Sequence, residues 1–147
     1  MNKLPNFKLR LIDEKEIKSS TLRKTILFFY PKAMTSGCTI EVCEFQSNLK
    51  KFNKLGFEII GASKDSIEKN IKFAEKYKLK YTLASDEDKA CEKLGIWVEK
   101  SMYGKKYFGI SRSTFMIDSK GKIFKQWNKI KVFGHVEEVL EIAKICP

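Results

Sequence analysis

The stretch KTILFFYPKAMTSGCTIEVCEF, from Lys24 to Phe45, decides how the rest of the chain is read. Lys24 to Tyr30 is a β-branched and aromatic run stopped by Pro31, the pattern of a buried strand. Beyond the loop, TIEVCEFQSNLKKFNKL sets Val42, Phe45, Leu49 and Phe52 three or four residues apart. That spacing predicts an amphipathic helix, closed by Gly56. FEIIGAS reads as the next strand, and SIEKNIKFAEKYKL as a helix with Ser66 as cap and Ile67, Ile71, Ala74 and Tyr77 inward. YTLAS is a short strand and DEDKACEKLGI a short helix.

Working outward, FKLRLIDEKEIKSS predicts an N-terminal hairpin with Asp13 and Glu14 near its turn. RSTFMIDSKGKIFKQWN predicts a second hairpin around Ser-Lys-Gly, and GHVEEVLEIAKI a closing helix. EKSMYGKKYFGIS has poor periodicity and reads as a loop. Alternating strands and helices give an α/β fold, and the late hairpin makes the sheet mixed. The order suggests a thioredoxin-like fold: a mixed central sheet flanked by helices, with an N-terminal β-hairpin.

The 147 residues, 43% of them hydrophobic, fit one domain over 1–147 with a proper core. The opening MNKLPNFKLRLIDEKEIK lacks the apolar core of a secretory signal, and the run Ile26 to Tyr30 is far too short to span a bilayer. The expectation is a soluble, cytoplasmic protein, where four cysteines do not make a static disulfide framework. The net charge of +11 raises the question of nucleic acid. Yet only positions 10, 23 and 112 of the 29 basic residues are arginine, and the lysines are spread along the chain. This reads as a lysine-rich solvated surface, not a base or phosphate reader.

Cys38 falls after the Lys24–Tyr30 strand, where chemistry gathers in open α/β sheets, and where the next helix should begin. Free backbone N–H groups and the positive end of the helix dipole favour an anion there. Thr35 offers a hydroxyl to a thiolate or a substrate oxygen, and Pro31 can shape one wall of a pocket. From the residues alone, Cys38 reads equally as a small buried hydrophobe or a reactive thiol.

Pro31-x-x-x-Thr35-x-x-Cys38 resembles the active-site motif of the peroxiredoxins. Gly37-Cys38-Thr39-x-Glu41-x-Cys43-x-Phe45 is similar to the bacterioferritin-comigratory-protein (PrxQ) branch, in which a second cysteine follows five residues later. Gly95 to Ile123 and Gly134 to Leu140 resemble further signature regions, so the likeness covers nearly the whole chain. The resemblance implies a thiol peroxidase in antioxidant defence, reducing hydrogen peroxide and organic hydroperoxides. Cys38 would be the peroxidatic cysteine and Cys43 the resolving one, with Thr35 contacting the peroxide and Pro31 walling the pocket. Arg112 matches the family's active-site arginine, which stabilises the thiolate and polarises the O–O bond. A thioredoxin-type dithiol would recycle an intrachain disulfide. No metal, haem or flavin would be needed, and a monomer would suffice.

Positions 33 to 36 and Gln46-Ser47 depart from the branch pattern, the first losing a proline and the second a local ion pair. Cys91 reads as structural, Cys146 as a mobile penultimate residue able to bridge chains, Glu41 as a first-turn acid facing the dipole, and His135 as a helix-start residue. A zinc site built from Cys38, Cys43, Cys91 and His135 lacks a Cys-x-x-Cys knuckle. A thiol-disulfide oxidoreductase is the enzymatic alternative, but it usually carries Cys-x-x-Cys. In an unbroken helix, Cα atoms five residues apart are about 8.6 Å apart. A disulfide needs less than about 7 Å, so closure between Cys38 and Cys43 requires local unwinding.

Overall fold

The computed structural model describes residues 3–147. An N-terminal hairpin pairs β1 (Lys8–Leu11) with β2 (Glu16–Lys18), and Glu14 takes a left-handed backbone at its turn. Then come β3 (Thr25–Phe29), α1 (Ser36–Ser47), α2 (Leu49–Lys54), β4 (Glu58–Ser63), α3 (Ile67–Lys76), β5 (Thr82–Ser85) and α4 (Ala90–Lys93). A hairpin of β6 (Trp97–Met102) and β7 (Lys105–Ile110) leads to β8 (Ser113–Ile117), β9 (Ile123–Trp127) and α5 (His135–Ala143). The main sheet has the order β2-β1-β5-β4-β3-β8-β9. β3, β4 and β5 run parallel, and β1, β8 and β9 join antiparallel. This is the mixed, thioredoxin-like sheet that the pattern predicts.

β3 lies at the centre because both of its faces are apolar. Ile26, Phe28 and Tyr30 point into one core with Val42, Phe45 and Phe52 of α1 and α2, Phe73 of α3 and Val139 of α5. Leu27 and Phe29 point into the other, with Leu9, Ile60, Cys91, Ile96 and Phe115. Strand side chains alternate between faces, so one run feeds both cores. Gly61 stands opposite Phe28 in the β3–β4 register, and a Cβ there would lie 2.6 Å from Phe28 Cζ. The glycine is what lets Phe28 lie down on α1, stacked on Phe45 at 4.5 Å between ring centroids.

Three expectations are corrected. The segment read as a loop, EKSMYGKKYFGIS, forms most of the β6–β7 hairpin, with Tyr103 and Gly104 both left-handed (φ 53° and 77°) at its turn. A two-residue turn of that kind matches strand twist. The period-2 signal is missing because most of β7 is exposed, so neither face demands apolar residues. The helix expected up to Gly56 breaks at Asn48, whose side-chain amide donates to the Glu44 carbonyl at 2.9 Å and starts α2 anew. Cys146 is buried in the first core and its amide donates to the Ala143 carbonyl, so it is not a mobile end.

Candidate active site

β3, β4 and β5 end along one edge, and α1 starts there after the loop 31–35. Cys38 is the third residue of α1 and is 1% exposed. β8 runs antiparallel to β3 with Ser113 opposite Phe29, so Arg112 arrives beside the carboxyl end of β3. Its carbonyl accepts the Ile130 amide, which ties this end of β8 to the β9–α5 connection. The guanidinium spans two groups of α1. Nη2 donates to Cys38 Sγ at 3.4 Å and Nη1 to Glu41 Oε1 at 2.7 Å. Residues three apart share one face of a helix, which is why one fork reaches both. Gly37 leaves room for it: a Cβ there would meet Arg112 Nη2 at 3.3 Å.

Glu41 is therefore not a first-turn acid facing the dipole, since α1 has no acid in its first turn. It is fully buried, its Oε2 has no hydrogen-bond partner among the described residues, and burial pushes its carboxyl up to about 7 against the pull of Arg112. The sequence held a signal for this: an acid flanked by Ile40 and Val42, three residues after Cys38, cannot face solvent while Val42 and Phe45 face the core. Arg112 in turn is held charged, since Glu41 and Cys38 outweigh its burial.

Pro31 and Thr35 line a groove of about 680 Å³ between the loop and the β6–β7 hairpin, together with Asp65, Lys100, Tyr107 and Phe108. Thr35 is exposed at the N-cap of α1, but its hydroxyl donates to the Lys32 carbonyl at 2.8 Å rather than capping the helix. Lys100 donates to the Ile110 carbonyl at 2.5 Å and so pins the hairpin two residues before Arg112. Burial, with Arg112 nearby, pulls its ammonium below the ordinary lysine value. The poor periodicity of the hairpin hid this residue from the sequence reading.

Cys43 lies one and a half turns after Cys38 in the same unbroken helix, partly exposed, and both are free thiols. Burial raises the Cys43 thiol above its ordinary value. α1 is pinned on either side of Cys43: Tyr81 donates to the Val42 carbonyl at 2.8 Å just before it, and Gln46 bridges the Lys78 carbonyl and the Lys80 amide beyond it. Upstream there is no side-chain cap and no acid in the first turn. Gly37, Thr39, Ile40 and Val42 are weak helix formers. Cys91 is fully buried in the second core, and burial beside Asp86 drives its thiol far up. His135 opens α5, buried, with Nε2 2.8 Å from the Thr114 hydroxyl, and burial pushes it down to about 4.

The chain matches the AhpC/TSA family over residues 1–126. It is 48% identical to the peroxiredoxin Bcp of Bacillus subtilis (strain 168) over 81% of this chain and 76% of that one. With the peroxiredoxin Bcp of Escherichia coli (strain K12) it shares 41% identity over 95% of this chain and 92% of that one. A solved structure of the Xanthomonas campestris bacterioferritin comigratory protein, studied for alkyl peroxide reduction, superposes with TM-score 0.87 at 35% identity. It covers 94% of this chain and 90% of that one. Fold and relatives together define the class, a thiol peroxidase on a thioredoxin-like scaffold. Within that class the chain belongs to the AhpC/TSA family, in its peroxiredoxin Bcp branch.

Proposed function

We propose that Cys38 is the peroxidatic cysteine of a single domain over 1–147, acting on hydrogen peroxide and organic hydroperoxides. The observation that carries this reading is the Arg112 fork, one nitrogen on Cys38 Sγ and the other on the buried Glu41. The guanidinium favours the thiolate by charge and presents donors to an incoming peroxide. The Cys38 thiolate attacks the nearer peroxide oxygen and the O–O bond breaks. The far oxygen leaves as water or an alcohol, with a proton from solvent, and Cys38 is left as sulfenic acid. Pro31 and Thr35, on the groove wall, shape the approach, and Thr35 contacts the peroxide.

Cys43 then attacks the sulfenic sulfur, and the hydroxyl leaves as water as the Cys38–Cys43 bond forms. The weakly held first turns of α1 support local unwinding up to about Cys43, which releases the Val42 carbonyl from Tyr81, with Gln46 holding the helix beyond that point. A dithiol reductant of the thioredoxin type reduces the bridge by exchange and is itself oxidised. No metal or organic cofactor takes part. Because both cysteines belong to one helix, a monomer suffices, and a cytoplasmic location fits a cycle that returns to free thiols.

The test is peroxide consumption driven by thioredoxin and its reductase. Cys38→Ser abolishes turnover, and Cys43→Ser performs one turnover but is not recycled by thioredoxin. Full activity in Cys38→Ser overturns the reading.

A further inference from the structure

Beneath the active-site loop lies a polar network that the peroxidase chemistry does not itself call for. It joins the carboxyl ends of the three parallel strands. Tyr30, after β3, donates to Asn70 Oδ1. Asn70, on α3, donates from Nδ2 to Ser85 Oγ at 2.9 Å, the Ala84 carbonyl at 3.1 Å and Ser63 Oγ at 3.2 Å. Ser63, at the end of β4, donates to Asp65 Oδ2 at 2.7 Å, and the same oxygen accepts the Ala33 amide at 2.7 Å. Tyr30, Ser63 and Asn70 are fully buried and Ser85 nearly so, so the array is a rigid base.

The loop it grips is strained. Met34 has φ +69°, a left-handed backbone that side chains other than glycine rarely adopt. Such a conformation persists only where the surroundings over-determine it. Three bonds do so here: the Ala33 amide to Asp65, the Thr35 hydroxyl to the Lys32 carbonyl, and the Thr39 amide to the Thr35 carbonyl. The last two lie within the loop and its helix. The first ties the loop to the sheet, and it is the charge-assisted one.

We propose that Asp65 is a positioning residue for the peroxide step, clamping the loop 31–35 through Ala33 so that Thr35 and the start of α1 hold Cys38 against Arg112. The clamp acts in opposite senses on the two chemical steps. It maintains the fully folded pocket that meets peroxide. It also opposes the loosening of the loop and first turns that disulfide closure requires. Removing it slows sulfenic acid formation and speeds closure, a split that a general loss of stability does not produce.

This inference rests on the reading of Cys38 and Cys43 above, so each step is measured separately with hydrogen peroxide. Sulfenic acid formation is followed in a Cys43→Ser background by rapid quench, dimedone trapping and mass spectrometry. Disulfide closure is followed at saturating peroxide with Cys43 present. Asp65→Ala slows the first step about tenfold, the scale of one lost charge-assisted hydrogen bond, and quickens the second. Asp65→Asn keeps an acceptor oxygen and recovers most of the first step. Ser63→Ala, which removes the hydroxyl that orients Asp65 and leaves Asn70 Nδ2 its bonds to Ser85 and the Ala84 carbonyl, gives the same split at smaller size and serves where Asp65→Ala does not fold. Equal slowing of both steps, or a first step unchanged in Asp65→Ala, overturns the clamp. A parent Cys43→Ser protein that forms no sulfenic acid removes the reading of Cys38 instead, and the clamp with it.

Discussion

The partly buried Arg112 and the fully buried Glu41 form an ion pair, Nη1 to Oε1 at 2.7 Å, and that pair aims the other guanidinium nitrogen at Cys38 Sγ. A planar fork can hold a carboxylate and a sulfur at once, whereas an ammonium is a point charge. Arg112→Lys keeps the charge and loses the double contact. Its peroxide step falls by about a hundredfold, the scale of one removed transition-state donor. Single-turnover rates in the Cys43→Ser background check this, and a loss under threefold contradicts it.

Glu41 gives the site a pH dependence with a definite sign. Its folded value of about 7 lies above the ordinary 4.5. As pH falls through about 7, Glu41 takes up a proton, its charge no longer holds Arg112, and the peroxide step slows. Glu41→Gln removes that inflection from the rate profile. For folding, the native state holds a proton that the unfolded chain releases between about 4.5 and 7, so this group makes stability fall as pH rises through that window. Denaturant titrations across the same range are flatter in Glu41→Gln.

Gly61→Ala tests the packing that seats α1. The new methyl lies 2.6 Å from Phe28 Cζ and 2.9 Å from Leu83 Cδ2, both fully buried. Overpacking on this scale costs about 1–3 kcal/mol. Equilibrium unfolding in urea shows that loss as a lower midpoint at unchanged slope.

Much of the fold was legible because β3 is buried on both faces and its neighbours alternate regularly with amphipathic helices. Position after a buried strand left Cys38 evenly balanced between a buried hydrophobe and a reactive thiol, and it was the resemblance to the peroxiredoxin motifs that singled out Cys38 and Arg112, the latter one of only three arginines. Two kinds of feature stayed hidden. The β6–β7 hairpin projects into solvent, so its residues carry no period, and Lys100 went unread with it. Partnerships across the sheet left only faint marks. Glu41 reads as a first-turn acid until Arg112, distant in sequence, is brought against it, and Asn70 interrupts the apolar stripe of α3 because its partners lie on β3, β4 and β5. Cys146 looked free because a penultimate position says nothing of the core into which α5 delivers it.

On the proposed cycle, Cys38 and Cys43 close a bridge by opening the start of α1. This step is tested by oxidising the protein with one equivalent of hydrogen peroxide and combining peptide mapping of the disulfide with amide hydrogen exchange. The expected result is a Cys38–Cys43 bridge, with faster exchange confined to about residues 36–43 while the helix beyond, pinned by Gln46, stays protected. A bridge from Cys38 to Cys91 or Cys146, or a Cys38–Cys43 bridge with α1 still fully protected, contradicts it.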